Sequence, residues 1–216
     1  GVLVPRILLS IVGILLPPGK TSNPTLPPNE TTEQTGPAVE RPAYLSVKTD
    51  SGEHMVLTWD AYVTGVVLAE MPASFSQEAL KAQAILARTF TLEKMEQNAM
   101  AERNADASTD IHEFQAYDAS KINEAIREAV DDTENEVAVY KGELIKAWFF
   151  SDGGGITAAS AKEGLSYDKE ETPYIHSVED PGAHHRDNPN QNWEAEFSMQ
   201  EVANAVAAVT GVHRDG

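Results

Sequence analysis

Pro72 constrains this chain more than any other residue. It follows the apolar stretch Val66-Val67-Leu68-Ala69-Glu70-Met71. A proline there ends any helix arriving from upstream, because its ring excludes the helical conformation of the residue before it. Helical spacing begins at Thr58 or Trp59, and Tyr62, Val63, Val66, Val67 and Ala69 form one apolar face. Past the proline, Ser74 or Ser76 is placed to cap a second helix over residues 77–100, with Leu80, Ala84, Ile85, Phe90, Leu92 and Met95 in helical period. Glu70 is thereby left at a helix C-terminus, among apolar neighbours and next to the break.

The remaining elements are shorter. Residues 44–48 and 55–57 read as a hairpin around Asp50-Ser51-Gly52. A polar loop is expected over 102–110, and Ser120 opens a third helix reaching Asp131. Residues 137–140 and 144–150 read as strands joined at Lys141-Gly142. Gly153-Gly154-Gly155 is a loop and 174–178 a strand, and Ser198 with Glu201 forms a capping box for a last helix to Val209. Helices and strands mix without βαβ regularity, which predicts a single α+β domain.

Upstream of the domain the composition changes. Residues 1–16 are apolar except for Arg6, and the run Ile7 to Leu16 is shorter than a bilayer span. They are read as a membrane anchor or its remnant. Residues 17–42 hold seven prolines among Thr, Asn and Ser, a composition that forms an extended, solvated linker. Residues 43–216 are expected to form the globular domain. This layout predicts a membrane-anchored, extracytoplasmic protein.

Charge and cysteine content exclude several functions. The formal net charge of −18 opposes nucleic-acid binding, which needs Lys and Arg against phosphates. A neutral glycan is compatible with it. With no cysteine there is no disulfide, thiolate metal site or thiol nucleophile. His176, His184 and His185 lie near Glu179 and Asp180, but in no metal-binding spacing, so no metal or other cofactor is expected.

A carboxylate at the negative end of a helix dipole, beside apolar side chains, is destabilised as an anion. Its pKa rises, which suits a general acid. Glu70 meets this description; the alternative is a solvent-facing side chain paired with Lys81 or Arg88. Ser151-Asp152-Gly153-Gly154-Gly155-Ile156-Thr157 is the second candidate: glycines admit a ligand close to the backbone, and hydroxyls bond sugar hydroxyls. A plain glycine turn accounts for it as well.

Taken together, Leu68-Ala69-Glu70-Met71-Pro72-Ala73-Ser74-Phe75, Glu78-Ala79-Leu80-Lys81-Ala82-Gln83-Ala84 and Ala87-Arg88-Thr89 resemble the hallmark of the stage II sporulation protein D family. Further matches follow in order: Gln115 and Tyr117, Val139-Tyr140 with Gly142, then Ser151, Gly154, Gly155 and Thr157, then Pro173-Tyr174, Ser177-Val178, Asp180-Pro181 and Trp193. The family proline after Phe75 is Ser76 here, and no cysteine stands near Gln115, so no zinc is carried over.

The resemblance implies a lytic transglycosylase that cleaves MurNAc–GlcNAc bonds of peptide-stripped peptidoglycan strands to 1,6-anhydro-MurNAc ends. It implies septal wall degradation during engulfment in sporulation, beside an amidase/endopeptidase partner. The family glutamate corresponds to Glu70 as catalytic residue. Ser151, Gly154, Gly155 and Thr157, with Gln115, Tyr117, Lys81 and Arg88, are the expected substrate-binding or orienting residues. Two other functions fit the sequence: a non-catalytic amidase enhancer, which shares the family, and an anchored scaffold at the septum. Retention of function by Glu70→Gln separates an activator from an enzyme.

Overall fold

The computed structural model describes residues 41–120, 123–150, 152–180, 182 and 194–211. The apolar segment 1–16, linker residues 17–40, Ser151, His184, His185 and Trp193 lie outside these. Among the described residues no helix is long and apolar enough to cross a membrane.

Strands β1 (Tyr44–Lys48) and β2 (His54–Thr58) form the expected hairpin, with Leu45 opposite Leu57 and Val47 opposite Met55. Alternation buries Leu45 and Val47 completely while Tyr44 is exposed. Gly52 supplies the positive φ of the turn, +88°. Thr58 ends β2 and caps α1 (Trp59–Glu70), its hydroxyl accepting from Ala61 N at 3.2 Å. One face of α1 buries Trp59, Tyr62, Val63, Val66 and Val67, each such aliphatic side chain contributing about 1.5–3 kcal/mol. Ala69, assigned to that face by spacing, is exposed. Met71 is extended (φ −139°, ψ 131°), as a residue before proline must be, and its N–H still bonds Val67 O at 2.9 Å.

Ser76, not Ser74, caps α2 (Gln77–Glu96). The helix stops four residues short of the expected Met100 because Asn98 adopts the left-handed conformation (φ +51°) and folds Met100 back into the core. The expected loop over 102–110 holds a 3₁₀ turn, Ala101–Arg103, and a short strand β3 (Ala107–Ser108). β3 runs parallel to β1, so the sheet order is β2-β1-β3. Asp106 fastens this edge: its backbone N–H donates to Ser46 O and its carboxylate accepts from Ser46 N, both at 2.8 Å.

α3 (Glu124–Asp132) is capped by Asn123 rather than Ser120, and it packs Ile126, Ala129 and Val130 against α1 and α2. The hairpin β4 (Val139–Tyr140) and β5 (Glu143–Leu144) turns at Lys141 (φ +53°) and Gly142 (φ +87°), a pair of positive angles that matches strand twist. Pairing ends at Leu144, so the expected strand to residue 150 is not formed. The expected strand over 174–178 reduces to one bridge, Ile156 opposite Glu179. A five-residue helix α4 (Ala161–Leu165), not anticipated, is capped by Ser160. α5 (Met199–Thr210) carries the expected capping box, Ser198 with Glu201. The architecture is α+β in one domain: α1, α2 and α3 and a three-stranded sheet around one core, followed by a hairpin, loops and the helices α4 and α5.

Candidate active site

Glu70 is the last residue of α1, and no basic residue stands in the last turn to balance the helix dipole there. The carboxylate is partly buried, and its Oε1 accepts from Ala116 N at 2.9 Å. Burial pushes the Glu70 carboxyl above the ordinary glutamate range; the Ala116 N–H pulls the other way and is outweighed. A half-buried acid with a raised pKa and one oxygen fixed by a backbone donor is better suited than an ordinary glutamate to giving and retaking a proton.

The segment that carries Ala116 is docked on α1. Asp118 N donates to Gly65 O at 3.0 Å. The Tyr117 ring lies against Gly65 so closely that a Cβ there would fall 2.2 Å from its Cε2. Tyr117 also stacks on the buried Tyr62, centroids 6.0 Å apart and planes 9° from parallel. Gln115, 3% exposed, meets Thr91 of α2 at 3.1 Å. Ala116, between the buried Gln115 and the partly exposed Tyr117, is thereby held at Glu70.

Arg88 and Lys81 are placed differently. Arg88 is buried at 1% exposure, donating to Val130 O at 2.5 Å and Thr133 Oγ1 at 3.0 Å, so its bonded groups tie α2 to α3. Burial lowers its pKa. Lys81 pairs with Asp132 at 2.8 Å and Glu78 at 3.7 Å on the helix surface. Of the two residues expected to contact substrate or orient Glu70, Arg88 thus lies in the core, bonded from helix to helix, and Lys81 at the surface.

The glycine loop forms a second cluster. Gly154 (φ +66°) and Gly155 (φ +99°) turn the chain, and Thr157 is held by residues 176–178. Asp180 closes the loop, accepting from Gly153 N at 2.7 Å and Gly182 N at 3.0 Å. Ser151 of this cluster lies outside the described residues. Elsewhere, a cleft of about 920 Å³ lies between the end of α2, the β4–β5 hairpin and residues 170–174. None of the candidate site residues lines it.

Sequence reasoning missed Gly65, Thr91, Ala116 and Asp180. Gly65 had a signal: a glycine inside an apolar helix costs about 1 kcal/mol relative to alanine, and a close approach explains it. The role of Ala116 had none, since only its backbone acts.

Residues 48–140, which include Glu70, Gly65, Thr91 and the 115–118 segment, match the family described as Stage II sporulation protein. The chain is 35% identical over 136 residues to stage II sporulation protein D of Bacillus subtilis (strain 168), covering 56% of this chain and 38% of that protein. The corresponding protein of Bacillus amyloliquefaciens is 34% identical over 135 residues, 56% of this chain and 38% of that one. The amidase enhancer of Bacillus subtilis (strain 168) is 33% identical over 138 residues, 64% of this chain and 17% of that protein. The chain thus spans less than two fifths of the length of the curated relatives it matches. Through residues 48–140 and the acidic residue they carry, this chain is similar to the stage II sporulation protein D family.

Proposed function

We propose that the domain is a lytic transglycosylase acting on peptide-free peptidoglycan strands, with Glu70 as its single acid/base. The observation that carries this reading is the Glu70 carboxyl itself, raised by burial and held at one oxygen by Ala116 N–H. Hydrolytic glycosidases use two carboxylates, one of which activates water or forms a covalent intermediate. Intramolecular attack removes that need. Glu70 protonates the glycosidic oxygen as its bond to C1 of MurNAc breaks. The C6 hydroxyl oxygen of the same sugar then bonds C1, and its proton passes to Glu70. The acid is regenerated, no water is consumed, and the product ends in 1,6-anhydro-MurNAc. Tyr117 and the 154–157 loop, with Ser151, hold the strand. Residues 1–16 anchor the protein and residues 17–42 let the domain reach a septal wall during sporulation, beside an amidase partner.

The test is incubation with peptide-free glycan strands and mass spectrometry of the ends. Anhydro ends are expected from the wild type. Glu70→Gln is expected to lose activity by about 10²–10⁴-fold, the usual worth of a general acid, with its circular dichroism and unfolding intact. Equal product from folded Glu70→Gln rejects the reading.

The similarity to an amidase enhancer favours a second reading, a non-catalytic activator. It requires stimulation of an amidase that survives Glu70→Gln and glycan strands left uncut by the domain alone.

A further inference from the structure

Thr91 lies in the middle of α2, buried at 0% exposure. Its Oγ1 is 2.8 Å from Ala87 O and 3.1 Å from Gln115 Oε1. Ala87 O accepts the one hydroxyl proton that Thr91 has. With that proton committed to Ala87 O, two oxygens face each other at 3.1 Å unless the Gln115 amide is turned over to donate Nε2–H to Oγ1, and that nitrogen has no other partner among the described residues. The next residue, Ala116, carries the N–H on Glu70 Oε1. Two residues further on, Asp118 N is fixed to Gly65 O on α1. The donor to Glu70 is thus pinned on both sides, by α2 through Thr91 and Gln115 and by α1 through Gly65.

We propose that Thr91 is a positioning residue: through Gln115 it holds Ala116 N–H against Glu70 Oε1, which leaves Oε2 as the oxygen that carries the catalytic proton. The catalytic half of this statement rests on the proposed function, whereas the latch itself does not. An amide N–H only donates, and an oxygen that accepts it is the less basic of the two, so the proton goes preferentially to Oε2 while the bond stands. The titratable group on α1 that faces Glu70 is Tyr62, which is wholly buried, with its hydroxyl pKa raised. On the docked segment it is Tyr117, also raised by burial. Both are neutral wherever Glu70 titrates, so neither confuses the measurement.

The experiment is a substrate-free NMR titration. In the wild type the Ala116 amide proton is expected to shift with the same midpoint as the Glu70 side-chain carboxyl carbon, and in Glu70→Gln that shift is lost. In Thr91→Val the Ala116 bond loosens and the Glu70 midpoint rises by about one pH unit, because the bond favours the charged carboxylate and part of it is lost. Thr91→Ser keeps the wild-type midpoint. If Thr91→Val does not fold, Gln115→Met gives the same reading from the other partner. An Ala116 amide that ignores Glu70 in the wild type, or a folded variant with an unmoved Glu70 midpoint, overturns the proposal. In active protein the alkaline limb of kcat/KM against pH moves upward in Thr91→Val and not in Thr91→Ser. An inactive domain whose Ala116 amide titrates with Glu70 rejects the transglycosylase reading and leaves the latch standing. An active domain whose Ala116 amide does not titrate rejects the latch alone.

Discussion

The Glu70 region and the glycine-loop region are held by different forces. Around Glu70, α1, α2 and α3 bury an apolar core, and the polar groups inside it, Arg88, Thr91 and Gln115, bond from one element to another. Around Gly154 there is little apolar burial: Ile156 is 65% exposed and Val178 57%. That loop is shaped by Asp180, Thr157 and Ser177 bonding to nearby backbone. The first arrangement gives a carboxylate a fixed, partly dry position. The second gives a backbone surface that opens at low cost.

This contrast is broken most severely through Arg88. Arg88→Leu removes both bonds to α3 and leaves Val130 O and Thr133 Oγ1 without that donor inside the core. A loss of about 2–4 kcal/mol is expected, the range for breaking a buried polar network. Lys81→Ala, on the same helix but at its surface, is expected to cost less than about 1 kcal/mol. Urea unfolding compares the two, and equal costs contradict the placement of Arg88 in the core. Next comes Gly65→Ala, whose methyl meets the Tyr117 ring 2.2 Å away. Overpacking of this kind costs about 1–3 kcal/mol, in spite of alanine's better helix propensity. Tyr117 fluorescence or the Ala116 amide shift reports whether the segment leaves α1.

The glycine loop responds locally. Asp180→Ala removes the acceptor of Gly153 N–H and Gly182 N–H. A local penalty of about 1–2 kcal/mol is expected from two bonds at the edge of solvent. It is read as roughly ten-fold or greater faster exchange of the Gly153 amide, with the global unfolding midpoint nearly unchanged. A matching fall in global stability shows instead that the loop and the helical core unfold together.

The same contrast decides what was legible in the sequence. α1, its stop at Pro72 and the helix end at Glu70 follow from period and from proline sterics. The β1–β2 hairpin follows from alternation and Gly52. α2 was only half legible: Gln83, Arg88, Thr91 and Glu93 are buried although polar, because α2 is packed on several sides and period alone reads one face. β3 was hidden because two residues show no alternation, and its parallel pairing with β1 depends on Asp106 finding Ser46. The strands expected at 144–150 and 174–178 pair little: Lys146 N donates to the Tyr174 hydroxyl and Val178 N to the Thr157 hydroxyl, where a sheet would use a carbonyl. For the site, the glutamate was legible and its holder was not, because a backbone N–H has no residue signature.

The smallest effect concerns the stability contribution of Glu70 itself. Its pKa in the folded chain is raised above the unfolded value, chiefly by burial. The folded state therefore binds the proton more tightly than the unfolded state, and stability from this group is fully present below the ordinary glutamate pKa of about 4.3. It is lost as pH rises through the folded pKa, where the buried carboxylate ionises. The amide introduced by Glu70→Gln is neutral at every pH and keeps a carbonyl for Ala116 N–H. Glu70→Gln is thus expected to match the wild type in acid and to be slightly more stable at pH 7–8, a gain kept small by the solvent that still reaches the carboxylate. Thermal unfolding of the two proteins across pH 4–8 measures the difference. Divergence in acid rather than near neutrality means the Ala116 bond outweighs burial, and Glu70 then sits as a stabilised anion, poorly suited to protonating a leaving oxygen.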